Sequence, residues 1–107
     1  MRRIICVLLF TLTGSAAAAD ALQFELVIKD HRFTPAEITI PANQKVKLLV
    51  KNEDETPEEF ESYTLKREKI IPGKSQAVIW IGPLPAGEHK FFGEFNEKTA
   101  QGRLIVK

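Results

Sequence analysis

Between Leu22 and Val106 the apolar residues recur at every second position and are broken up by Pro- and Gly-containing segments, so the chain has little but short β-strands to build with. Leu22, Phe24, Leu26 and Ile28 alternate with Gln23, Glu25 and Lys29, Val27 being the exception. Ile38 and Ile40 repeat the pattern after Pro35; Val46, Leu48 and Val50 repeat it with Lys45, Lys47 and Lys51 turned to water. Residues 60–65, 77–81, 89–92 and 103–106 supply further strands, separated by Pro72-Gly73 and by Gly82-Pro83-Leu84-Pro85-Ala86-Gly87. No amphipathic helix is legible. About seven strands with such turns predict an all-β, two-sheet antiparallel sandwich. Lys66-Arg67-Glu68-Lys69 reads as a solvated loop or a turn of helix, and no function is assigned to it.

The first 19 residues have a different character. Arg2 and Arg3 precede an apolar run from position 4 to 12, and Ala16 to Ala19 stand before Asp20. A charged start, a short greasy middle and an Ala-x-Ala end predict a secretory signal peptide, 1–19, cleaved after Ala19, with a single domain over 20–107. The apolar run is shorter than the roughly 20 residues of a membrane-spanning helix. The expectation is a periplasmic protein with no membrane insertion once the leader is removed.

Cleavage would remove the single Cys, Cys6, and the single Met, Met1, and with them any chemistry that needs a thiolate or thioether. The whole chain carries 15 Lys and Arg against 14 Asp and Glu, a balance that supplies no cationic field for nucleic acid. Gly-rich phosphate loops, His-x-x-x-His or Cys-x-x-Cys spacings and nucleophile elbows are all missing. Glu pairs could in principle cleave glycosides, but so short a sandwich has little surface for a sugar cleft.

Several segments in order resemble one family. They are Phe33-Thr34-Pro35-Ala36-Glu37-Ile38-Thr39-Ile40-Pro41-Ala42, Val50-Lys51-Asn52 before an acidic loop, Ile71-Pro72-Gly73-Lys74, Pro85-Ala86-Gly87-Glu88-His89-Lys90-Phe91-Phe92, and the closing Gly102-Arg103-Leu104-Ile105-Val106. Together they resemble the cupredoxins, which implies a Greek-key β-sandwich. Glu58-Glu59-Phe60-Glu61-Ser62 and Phe92-Gly93-Glu94-Phe95 are similar to the cupredoxin-like proteins and domains of bacterial ferrous-iron uptake systems. That narrower resemblance implies a periplasmic partner of an iron permease or of a periplasmic iron-binding protein.

Blue-copper cupredoxins hold their metal with two His, one Cys and a weak axial Met. The resemblance puts Glu58 at the first His, Gly93 at the Cys, Asn96 near the second His and Ala100 near the Met. Without a thiolate, a blue-copper electron-transfer site is not expected. The acidic residues nearby suggest other chemistry. The candidate metal ligands are Glu58, Glu59, Glu94, His31 and Glu97, which the resemblance gathers at one pole of the sandwich. Alternation turns Glu58 inward with Phe60 and Glu59 outward; Gly93 leaves room where relatives have sulfur.

Oxygen donors with one imidazole suit iron, manganese or cupric copper rather than cuprous copper. Crowded carboxylates favour the higher oxidation state, so ferrous-iron oxidation before delivery to a permease is the leading expectation, with turnover left open. The other two are an interaction module that docks through an acidic pole without metal, and a cupric-ion carrier in copper homeostasis. Glu53, Asp54 and Glu55 read as a solvated charge run. His89 and Trp80 read as packing residues of the sheets.

Overall fold

A computed structural model describes residues 21–107; the expected leader, 1–19, lies outside them. Among the described residues nine strands form: β1 (Leu22–Lys29), β2 (Arg32–Thr34), β3 (Glu37–Ile40), β4 (Val46–Asn52), β5 (Glu58–Ser62), β6 (Arg67–Ile71), β7 (Gln76–Ile81), β8 (Gly87–Gly93) and β9 (Gln101–Val106), with a 3-10 turn at Glu94–Asn96. One sheet has the order β2-β1-β4-β7 and the other β3-β9-β8-β5-β6. Pairing is antiparallel except for β1 with β4 and β3 with β9, which are parallel, so the sheets are mixed where the turns alone suggested antiparallel ones. No helix among the described residues is long and apolar enough to cross a membrane.

The two strands beyond the expected seven have a physical explanation. β2 is three residues long and buries only Phe33. In β6 the side chains from Arg67 to Ile70 are exposed and only Ile71 is buried, so no alternation marks it. What makes β6 a strand is backbone pairing with β5 at a sheet edge, Glu61 opposite Glu68 and Ser62 opposite Arg67. Lys66 closes the intervening turn with φ 54°. Edge strands need satisfy only one ladder and one face, which frees them from the apolar pattern.

Leu26, Ile28, Val46, Leu48, Val50, Ile79 and Ile81 from one sheet meet Ile38, Ile40, Phe60, Ile71, Phe91, Leu104 and Val106 from the other. Leu22 is half exposed, so the β1 alternation reaches the core from Phe24, which packs partly buried against it, onward. Trp80 is 44% exposed on the outward face of β7, with the Lys45 ammonium 5.0 Å from its ring centroid. His89 bonds through Nδ1 to the Thr64 hydroxyl at 2.8 Å, a surface contact rather than a core one.

The acidic loop after β4 is built around buried Asn52. Its Nδ2 donates to the carbonyls of Thr56 and Ile71 at 2.9 and 3.1 Å, and its Oδ1 accepts from Asp54 N at 3.0 Å. Asn52→Ala removes all three and leaves two carbonyls and an amide short of partners. It is expected to cost about 1–3 kcal/mol, read from the urea midpoint.

Candidate metal centre

The site begins with the period-two geometry of β5. Phe60 points into the core with no exposed surface, so its neighbours Glu59 and Glu61 project from the outer face of the five-stranded sheet. The β5–β6 hairpin sets Glu61 directly opposite Glu68. On the other side β8 pairs Phe60 with Gly93 and Glu61 with Phe92, which leaves Glu94, at the start of the 3-10 turn, beside Glu59. Carboxylate oxygens of Glu59, Glu61, Glu68 and Glu94 thus lie within 4.8 Å of one another. Opposed ligands of one cation with metal–oxygen bonds of about 2.1–2.4 Å stand about 4.2–4.8 Å apart, so a single ion can reach all four.

Glu59 lies at the centre of this group. It is 5% exposed, and its Oε1 has no hydrogen-bond partner. The groups that do reach its carboxyl, those of Glu68 and Glu94, are themselves carboxyls and can bond to it only by sharing a proton. That sharing with Glu68, then burial, then Glu94, pushes the pKa of Glu59 up to about 8. Glu61 is also raised, by burial first and then by Glu94 and Glu68. Among the described residues none of the four pairs with a lysine or arginine; the ion pairs lie elsewhere, as at Arg103 with Glu37 and Glu88. Crowded like charges without a counterion have two remedies, a proton or a metal cation.

Two of the five expected ligands, Glu59 and Glu94, come together here. Glu58 points the other way: it is 1% exposed and bonded inside the pole. His31 lies in the β1–β2 turn, where Asp30 and His31 have positive φ and Asp54 accepts from both their amides at 2.8 and 3.0 Å. The His31 ring stands 3.6 Å from the same carboxylate. Asp54 is therefore an anchor of that turn and not a free charge of a solvated run. The bond from His31 N, followed by that from Asp30 N and the charges of His31 and Lys74, holds its carboxyl below the usual range against the opposing effect of burial. Glu97 and His31 line a shallow depression of the pole with Glu94 and Asn96, but neither joins the four-carboxylate group.

Glu61 and Glu68 were not singled out as ligands. The signal for Glu61 was its spacing of two from Glu59, which puts both on one face. Glu68 could be found only by recognising the β5–β6 hairpin, whose second strand carries no apolar alternation.

A cupredoxin-like domain model matches residues 2–106, nearly the whole chain. The chain belongs to the cupredoxin-like domain family. An uncharacterized protein of Rickettsia prowazekii (strain Madrid E) is 41% identical to it over 87 residues, which is 81% of this chain and 70% of that protein. Among solved structures, auracyanin A, a "blue" copper protein from Chloroflexus aurantiacus, superposes with a TM-score of 0.70 at 15% identity, covering 81% of this chain and 99% of its own. Amicyanin from Paracoccus versutus gives a TM-score of 0.63 at 19% identity over 83% of each chain. At these identities the structural likeness is one of fold.

Within this cupredoxin-like domain the four positions that the resemblance puts at blue-copper ligands do converge. Asn96 Nδ2 donates to Glu58 Oε2 at 2.6 Å, and Gly93 N donates to Ala100 O at 2.8 Å. A Cβ built on Gly93 would stand 2.6 Å from Glu58 Cδ and 2.7 Å from the Ala100 Cβ. The space where a cysteine sulfur would project is filled by the Glu58 carboxyl. These residues do not fit a blue-copper ion, which needs thiolate and imidazole donors.

Proposed function

We propose that this cupredoxin-like protein binds iron at Glu59, Glu61, Glu68 and Glu94 and passes it on in ferrous-iron uptake. The observation that carries the reading is the unpartnered Oε1 of Glu59, a nearly buried oxygen facing three other carboxyls. A cationic partner docked on this face would find Glu68 and Glu94 exposed but not Glu59. A lysine or arginine from another protein has poor access to a carboxyl that is 5% exposed, whereas a bare ion fits between the side chains.

The donor set decides among cations. Four oxygens without sulfur or imidazole suit hard ions. At a given distance the attraction per carboxylate is half again as large for a triply as for a doubly charged ion. The site therefore favours ferric over ferrous iron and lowers the reduction potential of its cargo. Oxidation of ferrous cargo releases one electron, which passes to an external acceptor such as oxygen or a quinone. The leader pattern supports a periplasmic setting, and the resemblance to iron-uptake domains supports an iron permease or a periplasmic iron-binding protein as recipient.

Copper is the second reading, favoured by structural neighbours such as auracyanin A, described as a blue copper protein. Here it would bind as cupric ion at the carboxylates, because the blue-copper positions do not fit.

Calorimetric titration of the protein from residue 20 onward, anaerobically with ferrous iron and separately with cupric copper, tests the proposal. Trp80 is a poor reporter because it lies on the outer face of the opposite sheet. One ferrous ion per chain, with binding lost in Glu61→Gln with Glu68→Gln, is expected. Heat with cupric ion alone would replace iron by copper, and heat with neither at micromolar protein would leave the docking module.

A further inference from the structure

We infer that Glu58 is the positioning residue of the four-carboxylate site, a carboxylate that closes the old copper pole and sets the separation of Glu59 from Glu94; the inference rests on the cation reading above. One oxygen carries most of the argument. Glu58 Oε1 accepts from the backbone amide of Glu59 at 3.0 Å and from that of Phe95 at 2.9 Å, while Oε2 accepts from Asn96 Nδ2 at 2.6 Å. The first donor belongs to one member of the site and the second directly follows another.

The β5–β8 ladder explains why such a bridge is needed. Its last backbone pairing is Phe60 with Gly93. Beyond it the chain leaves the sheet in the 3-10 turn, which has no side-chain cap of its own at Gly93. The first amides of a helical turn lack partners within it, and the next rung, which would have joined Glu59 to Glu94, is not made. The Glu58 oxygen takes both functions: it satisfies the Phe95 amide and substitutes for the missing rung. Glu94 is thereby tied to β5, on which Glu59 and Glu61 stand.

The requirement for Gly93 follows. A β-carbon there would collide with Glu58 Cδ and Oε1 at 2.6 and 2.8 Å and displace the bridge. With glycine at position 93, the Glu58 carboxyl can lie across the pole and brace the 3-10 turn.

Calorimetry with anaerobic ferrous iron on Glu58→Asp, Glu58→Gln and Glu58→Ala tests the role. Glu58→Asp keeps the charge and loses the reach; a roughly tenfold weaker Kd is expected, and ten- to hundredfold for Glu58→Ala. Glu58→Gln should stay within about threefold, since its carbonyl oxygen keeps both amides while Asn96 turns its own amide over. A double-mutant cycle separates positioning from mere stability. Glu58→Asp should add little to Glu94→Gln, through which it acts, and keep its full effect in Glu68→Gln, whose carboxyl takes no part in the Glu58 hydrogen bonds.

Glu58→Asp with a lowered Tm but unchanged Kd, or equal losses in both backgrounds, overturns the inference while leaving the cation site standing. Wild type that takes up neither ferrous iron nor cupric copper rejects the cation reading and this role with it. Amide exchange then still reads the bridge: Phe95 and Glu59 N–H should exchange slowly in wild type and fast in Glu58→Asp.

Discussion

Glu59→Gln is expected to weaken cation binding by about a hundredfold or more while making the metal-free protein more stable at alkaline pH. The two effects have one cause. Glu59 contributes the buried, unpartnered oxygen of the cluster, so an ion loses its most enclosed ligand and one of four negative charges. Without an ion, the same carboxyl is a liability, because its neutral form is held by proton sharing with Glu68 and Glu94. A glutamine amide can donate to those carboxyls at any pH.

The pH dependence has a definite sign. The folded pKa of Glu59 is raised from 4.5 to about 8, so in that interval the folded chain holds a proton that the unfolded chain has released. The stabilisation is fully present below about 4.5 and is lost as pH rises through about 8. Glu61, raised in the same direction, adds to the slope. Metal-free wild type should therefore lose Tm steadily from pH 4.5 to 8, and Glu59→Gln should be flatter. Ion binding runs oppositely, since the ion must displace the shared proton, and affinity should climb up to about pH 8. Thermal melts in chelator across that range, repeated with ferrous iron, give both curves. Identical slopes for wild type and Glu59→Gln would show that the carboxyls are not coupled as described.

The sandwich was legible because its strands bury one face each, and burial on one face writes a period of two into the chain. Glu58 inward and Glu59 outward followed from the same rule, since Phe60 has one direction available to it. The convergence of Glu58, Gly93, Asn96 and Ala100 was legible through resemblance. What they do there was not, because the shape of a hydrogen-bonded carboxylate is not encoded in spacing. His31 illustrates the limit most clearly. Its place near the pole is right, yet two left-handed residues in the turn commit their amides to Asp54, and the ring follows the backbone. Glu68 stayed hidden for the complementary reason. An edge strand exposed at four of five positions has no pattern to read, and only the hairpin register brings it to Glu61.

Phe60→Ala should have the largest effect on stability, about 3–5 kcal/mol by urea denaturation. Phe60 has no exposed surface and stacks on Phe91 with centroids 5.1 Å apart and planes at 28°. Phe33 meets both rings edge-on, at 6.1 and 5.2 Å. The three rings come from β2, β5 and β8, so they join the two sheets beneath the four-carboxylate face. Truncation to alanine leaves a ring-sized void between side chains held by two rigid sheets, which have little freedom to collapse into it. Domains of this size are stable by only about 4–13 kcal/mol, so the loss consumes much of the total. The same ring orients the site, since its inward anchoring is what turns Glu59 and Glu61 to the outer face. Ferrous iron binds only the folded form and should therefore recover part of the loss, shifting the Phe60→Ala midpoint upward in proportion to the logarithm of free ion. In Phe60→Ala combined with Glu59→Gln that recovery should vanish. A Phe60→Ala protein destabilised by less than about 1.5 kcal/mol would mean that the core closes over the void and that Phe60 is not what fixes the carboxylates.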